Sequence, residues 1–330
     1  MTDTDHGHCD LIADIGGTNA RFALTDPRRP EPELLHVRSL PNAQFASLQH
    51  AAEHYLADVG ASPRRAAIAV ASPVAGDEIR LTNRAWSFSR AELQATLKLE
   101  HLAILNDFGA VAWAVPSLGA ADRTTLHGTA DAPLRGPVSV LGPGTGLGVG
   151  VLVGEPGNWH VVETEGGHVS HAPLGDEELA ISRWVTARHG RCSTERLLSG
   201  TGLSYIDAAL SGVPPGINDA PMRDPAVIVD AALEGHDLMA RRTLARFCAM
   251  LGSVAGDTAL IHGARSVVIA GGIVPRFIPF LRSSAFRERF LAKGRFAAHL
   301  ESVPIHVITH ASPGLLGAAV ALRQGAGAPA

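Results

Sequence analysis

The sequence predicts an α/β protein built as two lobes, on three observations. Residues 11–24 (LIADIGGTNARFAL) and 138–153 (VSVLGPGTGLGVGVLV) each read as strand, glycine turn and strand, and residues 266–272 (SVVIAGG) end a further strand on a glycine pair. The 330 residues are 46% hydrophobic with a mean hydropathy of +0.13, enough for a large core shared between two lobes. Segments with helical spacing separate the glycine turns, so strand-rich and helical stretches alternate along the chain.

Taken in order, the opening hairpin leads into a helix over residues 43–59 and a short buried strand over 65–71. Ser89 and Glu92 make a capping box for a helix over 90–99, and HLAIL at 101–105 forms the next strand. A helix begins near Asp107 and stops before Pro116. Residues 117–136, rich in Gly, Ala, Asp and Pro, read as a linker between lobes. The second lobe then holds the 138–153 hairpin, a helix over 176–189 closed by Gly190, helices near 224–234 and 237–262, and the strand 266–270. Residues 325–330 carry no predicted element, and His6 and His8 fall in an N-terminal tail expected to be disordered.

Composition excludes several classes of function. A formal net charge of −4 with mixed signs offers no basic stripe for nucleic acid. Cys9, Cys192 and Cys248 are odd in number and far apart, which fits neither a disulfide framework nor a C-x-x-C site and points to a reducing cytoplasm. The N-terminus MTDTDHGHCD is polar and acidic where a signal peptide would be basic then apolar. No uncharged apolar run is long enough to span a bilayer, so neither export nor membrane insertion is expected.

The glycine turns suit phosphate. Gly16 and Gly17 are free to adopt positive φ and let an anion approach bare backbone amides, and Gly144, Gly146 and Gly148 repeat the device in the second lobe. Neither G-x-x-x-x-G-K-[ST] nor G-x-G-x-x-G occurs, so the P-loop and the dinucleotide fingerprint are both absent. The plainer alternative is that these glycines serve tight hairpins and nothing else. Asp14 lies within an apolar strand, where an unpaired carboxylate is costly. It is expected to face a metal-bound phosphate, with Mg²⁺ keeping most of its waters, or else to accept amides of its own turn.

Asn106 and Asp107 stand where a strand becomes a helix. The helix N-terminus favours an ionised Asp107 able to accept a proton from an alcohol during phosphoryl transfer, although Asn-Asp before a helix is also an ordinary N-cap. Glu165 and His168 in ETEGGHVS and Glu195 in STERLLSG complete a polar set of Asn, Asp, two Glu and His that suits a neutral polyol. Zinc is not expected, since no second His or Cys lies at ligand spacing and His171 would join only if its loop curled.

These pieces, taken together, resemble the bacterial ATP-dependent glucokinase family of the hexokinase, actin and heat-shock ATPase superfamily. The likeness rests on DIGGTNAR at 14–21, LTNRAWSFS at 81–89, NDFGAVA at 106–112, GPGTGLGV at 142–149, EGGHV at 165–169, ERLLSGTGL at 195–203, AGGIVPRF at 270–277 and PGLLGA at 313–318. It implies two ribonuclease-H-like, actin-like ATPase lobes flanking a cleft, the small one residues 1–117 plus 310–330 and the large one 118–309, with the helix after Pro313 returning to the first. It implies transfer of the γ-phosphoryl group of ATP to the 6-hydroxyl of glucose at the head of glycolysis, lobe closure removing water, in a cytoplasmic homodimer. By position, Ala13, Asp14, Ile15, Gly16, Gly17 and Thr18 match the first phosphate loop, Gly144, Thr145 and Gly146 the second, and Gly271 with Gly272 the turn beside adenosine. Asp107 matches the catalytic base. Asn106, Glu165, His168 and Glu195, with Asp107, match the residues that hold the sugar, and Asp14 the one that meets Mg²⁺ through water.

Two departures stand out. Ala13 replaces a frequent glycine, its extra methyl expected to trim nucleotide affinity, and His171 replaces an apolar residue. The cysteine-rich zinc motif of the related repressor and sugar-kinase group is missing. Two other classes stay open on the sequence: a glucose sensor without transfer activity, although no N-terminal helix-turn-helix or basic face supports DNA binding, and an actin-like or chaperone-like ATPase, which would lack the sugar set.

Overall fold

A computed structural model of the chain describes residues 8–72, 74, 76–81, 86–129, 133–216 and 222–325. His6, positions 82–85 of the LTNRAWSFS motif and the tail from 326 onward lie outside the described residues. The chain divides into two compact units. The first is Met1–Gly119 with Pro156–Glu163 and His310–Ala330; the second is Ala120–Glu155 with Thr164–Thr309.

The first unit contains strands β1 (Asp10–Ile15), β2 (Asn19–Thr25) and β3 (Leu35–Pro41), helix α1 (Leu48–Val59), strands β4 (Arg65–Val70), β5 (Glu78–Arg80) and β6 (Ser87–Ser89), helix α2 (Arg90–Thr96), strand β7 (His101–Asn106) and helix α3 (Asp107–Ala114). Among the described residues its main sheet runs β3-β2-β1-β4-β7, antiparallel from β3 to β1 and parallel from β1 to β7, beside a small β5-β6 ribbon. Period-two alternation sends Leu11, Ala13 and Ile15 of β1 into a core with Phe22, Tyr55 and Ile68, where the Phe22 and Tyr55 rings stack with centroids 5.2 Å apart. Local chemistry fixes the helix ends. Ser47 Oγ accepts from the His50 amide to start α1 and Gly60 ends it in the left-handed region, while Ser89 Oγ accepts from the Glu92 amide to start α2.

The second unit opens with β8 (Arg123–His127), β9 (Val138–Pro143) and β10 (Leu147–Glu155); β11 (Asn158–Thr164) follows, of which only Thr164 belongs to this unit. Then come α4 (Gly175–His189), α5 (Thr194–Leu197), α6 (Gly200–Leu210), α7 (Pro225–Glu234), α8 (Leu238–His262), β12 (Ser266–Ile269), α9 (Ile278–Ser283), α10 (Phe286–Leu291), α11 (Ala297–Glu301) and β13 (Ile305–Ile308). The second sheet has the order β11-β10-β9-β12-β13-β8, with β9, β12 and β13 parallel and both edges antiparallel. Its core gathers Phe247, Phe277, Phe290, Leu244 and Leu251. Among the described residues, one helix, α8, has the length and mean hydropathy (1.3) to cross a membrane, but 72% of that apolar window is buried in the protein. Its apolar length serves the core.

Each unit is thus a mixed α/β layer structure around a parallel sheet centre, the fold class expected. The last helix, α12 (Pro313–Arg323), belongs to the first unit and packs on α3, β1 and β4.

The structure moves several boundaries. Helix α1 starts at Leu48 rather than 43, because Asn42 is buried in a single 3₁₀ turn with its side-chain Nδ2 donating to the Gly16 carbonyl at 2.8 Å. Helix α2 ends at Thr96, since Lys98 turns into the left-handed region and Leu99 donates back to the Gln94 carbonyl. The stretch read as a linker holds β8, an edge strand paired with β13; its Gly and Pro content flanks the strand and masks it.

Candidate active site

Each unit carries one group of the expected residues. In the first, β1 delivers Asp14 and Ile15 to a turn that Gly16 closes by donating to the Asn19 carbonyl at 3.0 Å. Gly17 and Thr18 are exposed there, whereas Ala13 and Ile15 are fully buried in the core. The added methyl of Ala13 therefore fills the core on the face of β1 opposite Asp14, which corrects the expectation that it would crowd the phosphate loop. A second correction concerns conformation: neither Gly16, Gly17, Gly144, Gly146 nor Gly148 has positive φ. Open space, not backbone freedom, is what Gly144 supplies, since a Cβ there would meet nothing within 4 Å.

Asp14 is half-buried, with Arg21 Nη1 at 3.4 Å and the first turn of α12 at Gly314 against its carboxylate. Burial raises its pKa, partly offset by the charge and hydrogen bond of Arg21. A single carboxylate at a strand end with one long ion pair fits Mg²⁺, which takes one or two protein carboxylates and completes its shell with water and phosphate oxygens. Among the described residues, no group of three or more His, Cys, Asp or Glu is placed to hold a metal.

At the end of β7 the question of the N-cap is decided residue by residue. Asn106 is the cap: its Oδ1 accepts from the amides of Phe108 at 2.9 Å and Gly109 at 3.1 Å. Asp107 is the first helical residue, and its Oδ1 accepts from the Phe108 amide at 2.8 Å. The capping duty thus falls on Asn106, and Asp107 sits in the first turn, where the peptide dipoles favour negative charge. The motifs did not assign a role to Glu163. Its Oε1 accepts from the Asn106 amide at 3.2 Å, and any side chain at Gly109 would run into it. Only its place two residues before Glu165 hinted at this.

In the second unit, the β9–β10 turn is closed by the Gly144 amide donating to the Gly146 carbonyl at 2.8 Å and is held to α6 by the Gly200 amide donating to the Gly144 carbonyl at 2.9 Å. Glu195 on α5 bridges turn and sugar set. Its Oε2 accepts from the Leu147 amide at 3.0 Å and abuts Gly146, where a Cβ would collide, while Oε1 lies 3.8 Å from His168 Nδ1. Glu165 Oε2 lies 3.8 Å from His168 Nε2, so the imidazole stands between two carboxylates. Thr194 braces the group by donating to the Gly167 carbonyl at 2.7 Å. Thr145 and Gly272 are exposed, and Gly271 holds φ +86° where an added Cβ would run into the Pro143 carbonyl, a position that only glycine fits without strain.

His171 takes no part in this group. Its side chain is buried, 4.0 Å from Glu178 Oε2, beside a cluster in which Glu178 accepts from Arg289 at 2.7 and 3.1 Å and from Arg246 at 3.1 Å. Burial lowers its pKa more than the Glu178 charge raises it.

Comparison with known proteins agrees across nearly the whole chain. The glucokinase family model matches residues 11–325. The glucokinase of Cupriavidus metallidurans is 44% identical over 329 residues, covering 98% of this chain and 96% of its own, and that of Chromobacterium violaceum is 44% identical over 316 residues, covering 95% and 89%. Among solved structures, a glucokinase from an Antarctic psychrotroph superposes with a TM-score of 0.85 at 37% identity, covering 96% of this chain and 98% of that one.

Proposed function

The chain belongs to the glucokinase family, an ATP-dependent hexose kinase by that membership, and on this premise we propose how its residues carry the transfer of the γ-phosphoryl group of ATP to the 6-hydroxyl of glucose. Asp107 is the general base. It orients the 6-hydroxyl and takes its proton as the oxygen–phosphorus bond to glucose forms and the bond to the departing ADP breaks; with a loose transition state, a weak base acting late suffices. The observation that carries this role is the split of duties at α3, where Asn106 supplies the cap and Asp107 the first-turn carboxylate.

Asn106, Glu165, His168 and Glu195 hold the sugar hydroxyls. The carboxylates accept hydroxyl protons, and the imidazole fixed between Glu165 and Glu195 supplies directional partners. The turns at 13–18 and 144–146 present amides to the phosphates, and Gly271 with Gly272 borders the adenosine. Asp14 would hold Mg²⁺ through water, and that ion would neutralise phosphate charge. The proposal extends to domains at 1–117 plus 310–330 and 118–309, a cytoplasmic homodimer, and a role at the entry to glycolysis.

ADP release by the purified chain, measured with and without glucose, tests the activity. Release that requires glucose is the expected outcome. Release independent of sugar would indicate an ATPase directed at another partner, and sugar binding with no release would indicate a sensor.

A further inference from the structure

A cavity of about 210 Å³ in the second unit is lined by His168, His189, Arg191, Ser193 and Arg196. Its chemistry is unlike that of the sugar set. A neutral sugar is read by carboxylate acceptors, yet neither Glu165 nor Glu195 is in this lining, which offers two guanidinium groups, two imidazoles and a hydroxyl. The Arg191 side chain donates to the His168 carbonyl, and no carboxylate is paired with Arg196 among the described residues.

His189 supplies an independent sign. Its ring packs on Tyr205 with centroids 5.0 Å apart, and its Nε2 is buried with no hydrogen-bond partner. A buried polar atom without a partner is costly, and a turn of the ring into the cavity that His189 lines would let an oxyanion satisfy it. Burial, and after it the charges of Arg196 and Arg188, lowers the pKa of His189.

We propose that this cavity binds a phosphate group, held by Arg191, Arg196 and His189, and that its occupant is coupled to sugar binding through Arg191. Guanidinium groups grip phosphate oxygens in two-pronged fashion. An anion that draws Arg191 toward itself loosens the bond from Arg191 to the His168 carbonyl, and with it the placement of the His168 ring between Glu165 and Glu195. The anion is a free phosphate ion or the phosphate of a phosphorylated sugar, the class of compound the reaction releases. The binding half stands without the kinase reading; the coupling half rests on His168 as a sugar ligand.

Calorimetric titration of the full chain without nucleotide, at constant ionic strength, tests the binding half with inorganic phosphate in one arm and glucose 6-phosphate in the other. At least one arm is expected to show binding that R196Q weakens by about tenfold or more, that H189Q also weakens and that R196K largely retains. The tighter arm identifies the source. Binding in neither arm, or binding indifferent to both R196Q and H189Q as at the nucleotide turns, overturns the site. For the coupling half, the preferred anion is expected to raise the KM for glucose about fivefold in the parent chain and to leave it nearly unchanged in R196Q. A glucose KM unmoved while calorimetry shows the anion bound overturns the coupling.

Discussion

At the scale of single residues, two positions carry separable tests. Replacing Asp107 by Asn keeps the Asn106 cap and the shape of the turn but removes the proton acceptor. Turnover should fall by roughly 10²- to 10⁴-fold while glucose affinity, measured by direct titration, stays close to that of the parent. Near-normal turnover would remove Asp107 from its role. Gly146→Ala acts at a distance from that base. Its Cβ meets the end of the Glu195 side chain, a flexible group that can swing away and give up the Leu147 amide. The fold should therefore survive with little change in thermal midpoint, and the KM for glucose should rise by about tenfold, equivalent to about 1.4 kcal/mol. At this scale the sequence named Asn106, Asp107, Glu165, His168 and Glu195 by type and order. Beyond the nearness of Glu163 to Glu165, nothing in it pointed to the contact of Glu163 with the Asn106 amide, because that contact joins residues 57 positions apart.

At the scale of elements, packing sets the sensitivities. Helix α12 lies so close to α3 that a Cβ on Gly317 would enter the Ala110 carbonyl, and backbone cannot step aside as a side chain can. Gly317→Ala should cost about 1–3 kcal/mol in chemical denaturation, despite the better helix propensity of alanine. Strand β13 carries a different liability. His306 is buried with Nδ1 3.0 Å from Thr125 Oγ1 on β8, and burial, reinforced by Arg123, lowers its pKa to about 4. The unfolded chain takes up this proton at a higher pH than the native state does. Stability from this group is accordingly full above about pH 6.5 and declines as the pH falls toward about 4. Denaturation at about pH 7.5 and 5 should show a loss that is smaller in His306→Gln by about 2 kcal/mol. Equal losses in the two chains would assign the pH dependence elsewhere. Capped helices such as α2, α7 and α8 were legible from the sequence because Ser89, Asp224 and Asp237 each act within three residues. Strand β8 was not, because an edge strand is defined by the partner that pairs with it.

At the scale of the whole molecule, the proposed homodimer is open to direct measurement. Sedimentation should give a species of twice the 34.4 kDa chain mass, and a species at the chain mass alone would refute it. Within the second unit, the fully buried Glu178 answers both Arg289 and Arg246. Glu178→Gln leaves the Arg289 guanidinium without its counter-charge, while Arg246 keeps Glu177, and should destabilise the chain by about 3–5 kcal/mol.

The sequence by itself determined the α/β class, the order of the glycine turns, the starts of capped helices such as α2, α7 and α8, and the family, since these depend on patterns contained in short windows or in a series of motifs read in order. Tertiary structure decided the rest. Ala13 turned out to be a core residue, Asn106 rather than Asp107 became the cap, His171 went to the Glu178 cluster, and an arginine-lined cavity opened beside His168. Each of these outcomes depends on which face of an element is buried and on which distant segment covers it, and a one-dimensional pattern does not carry that information.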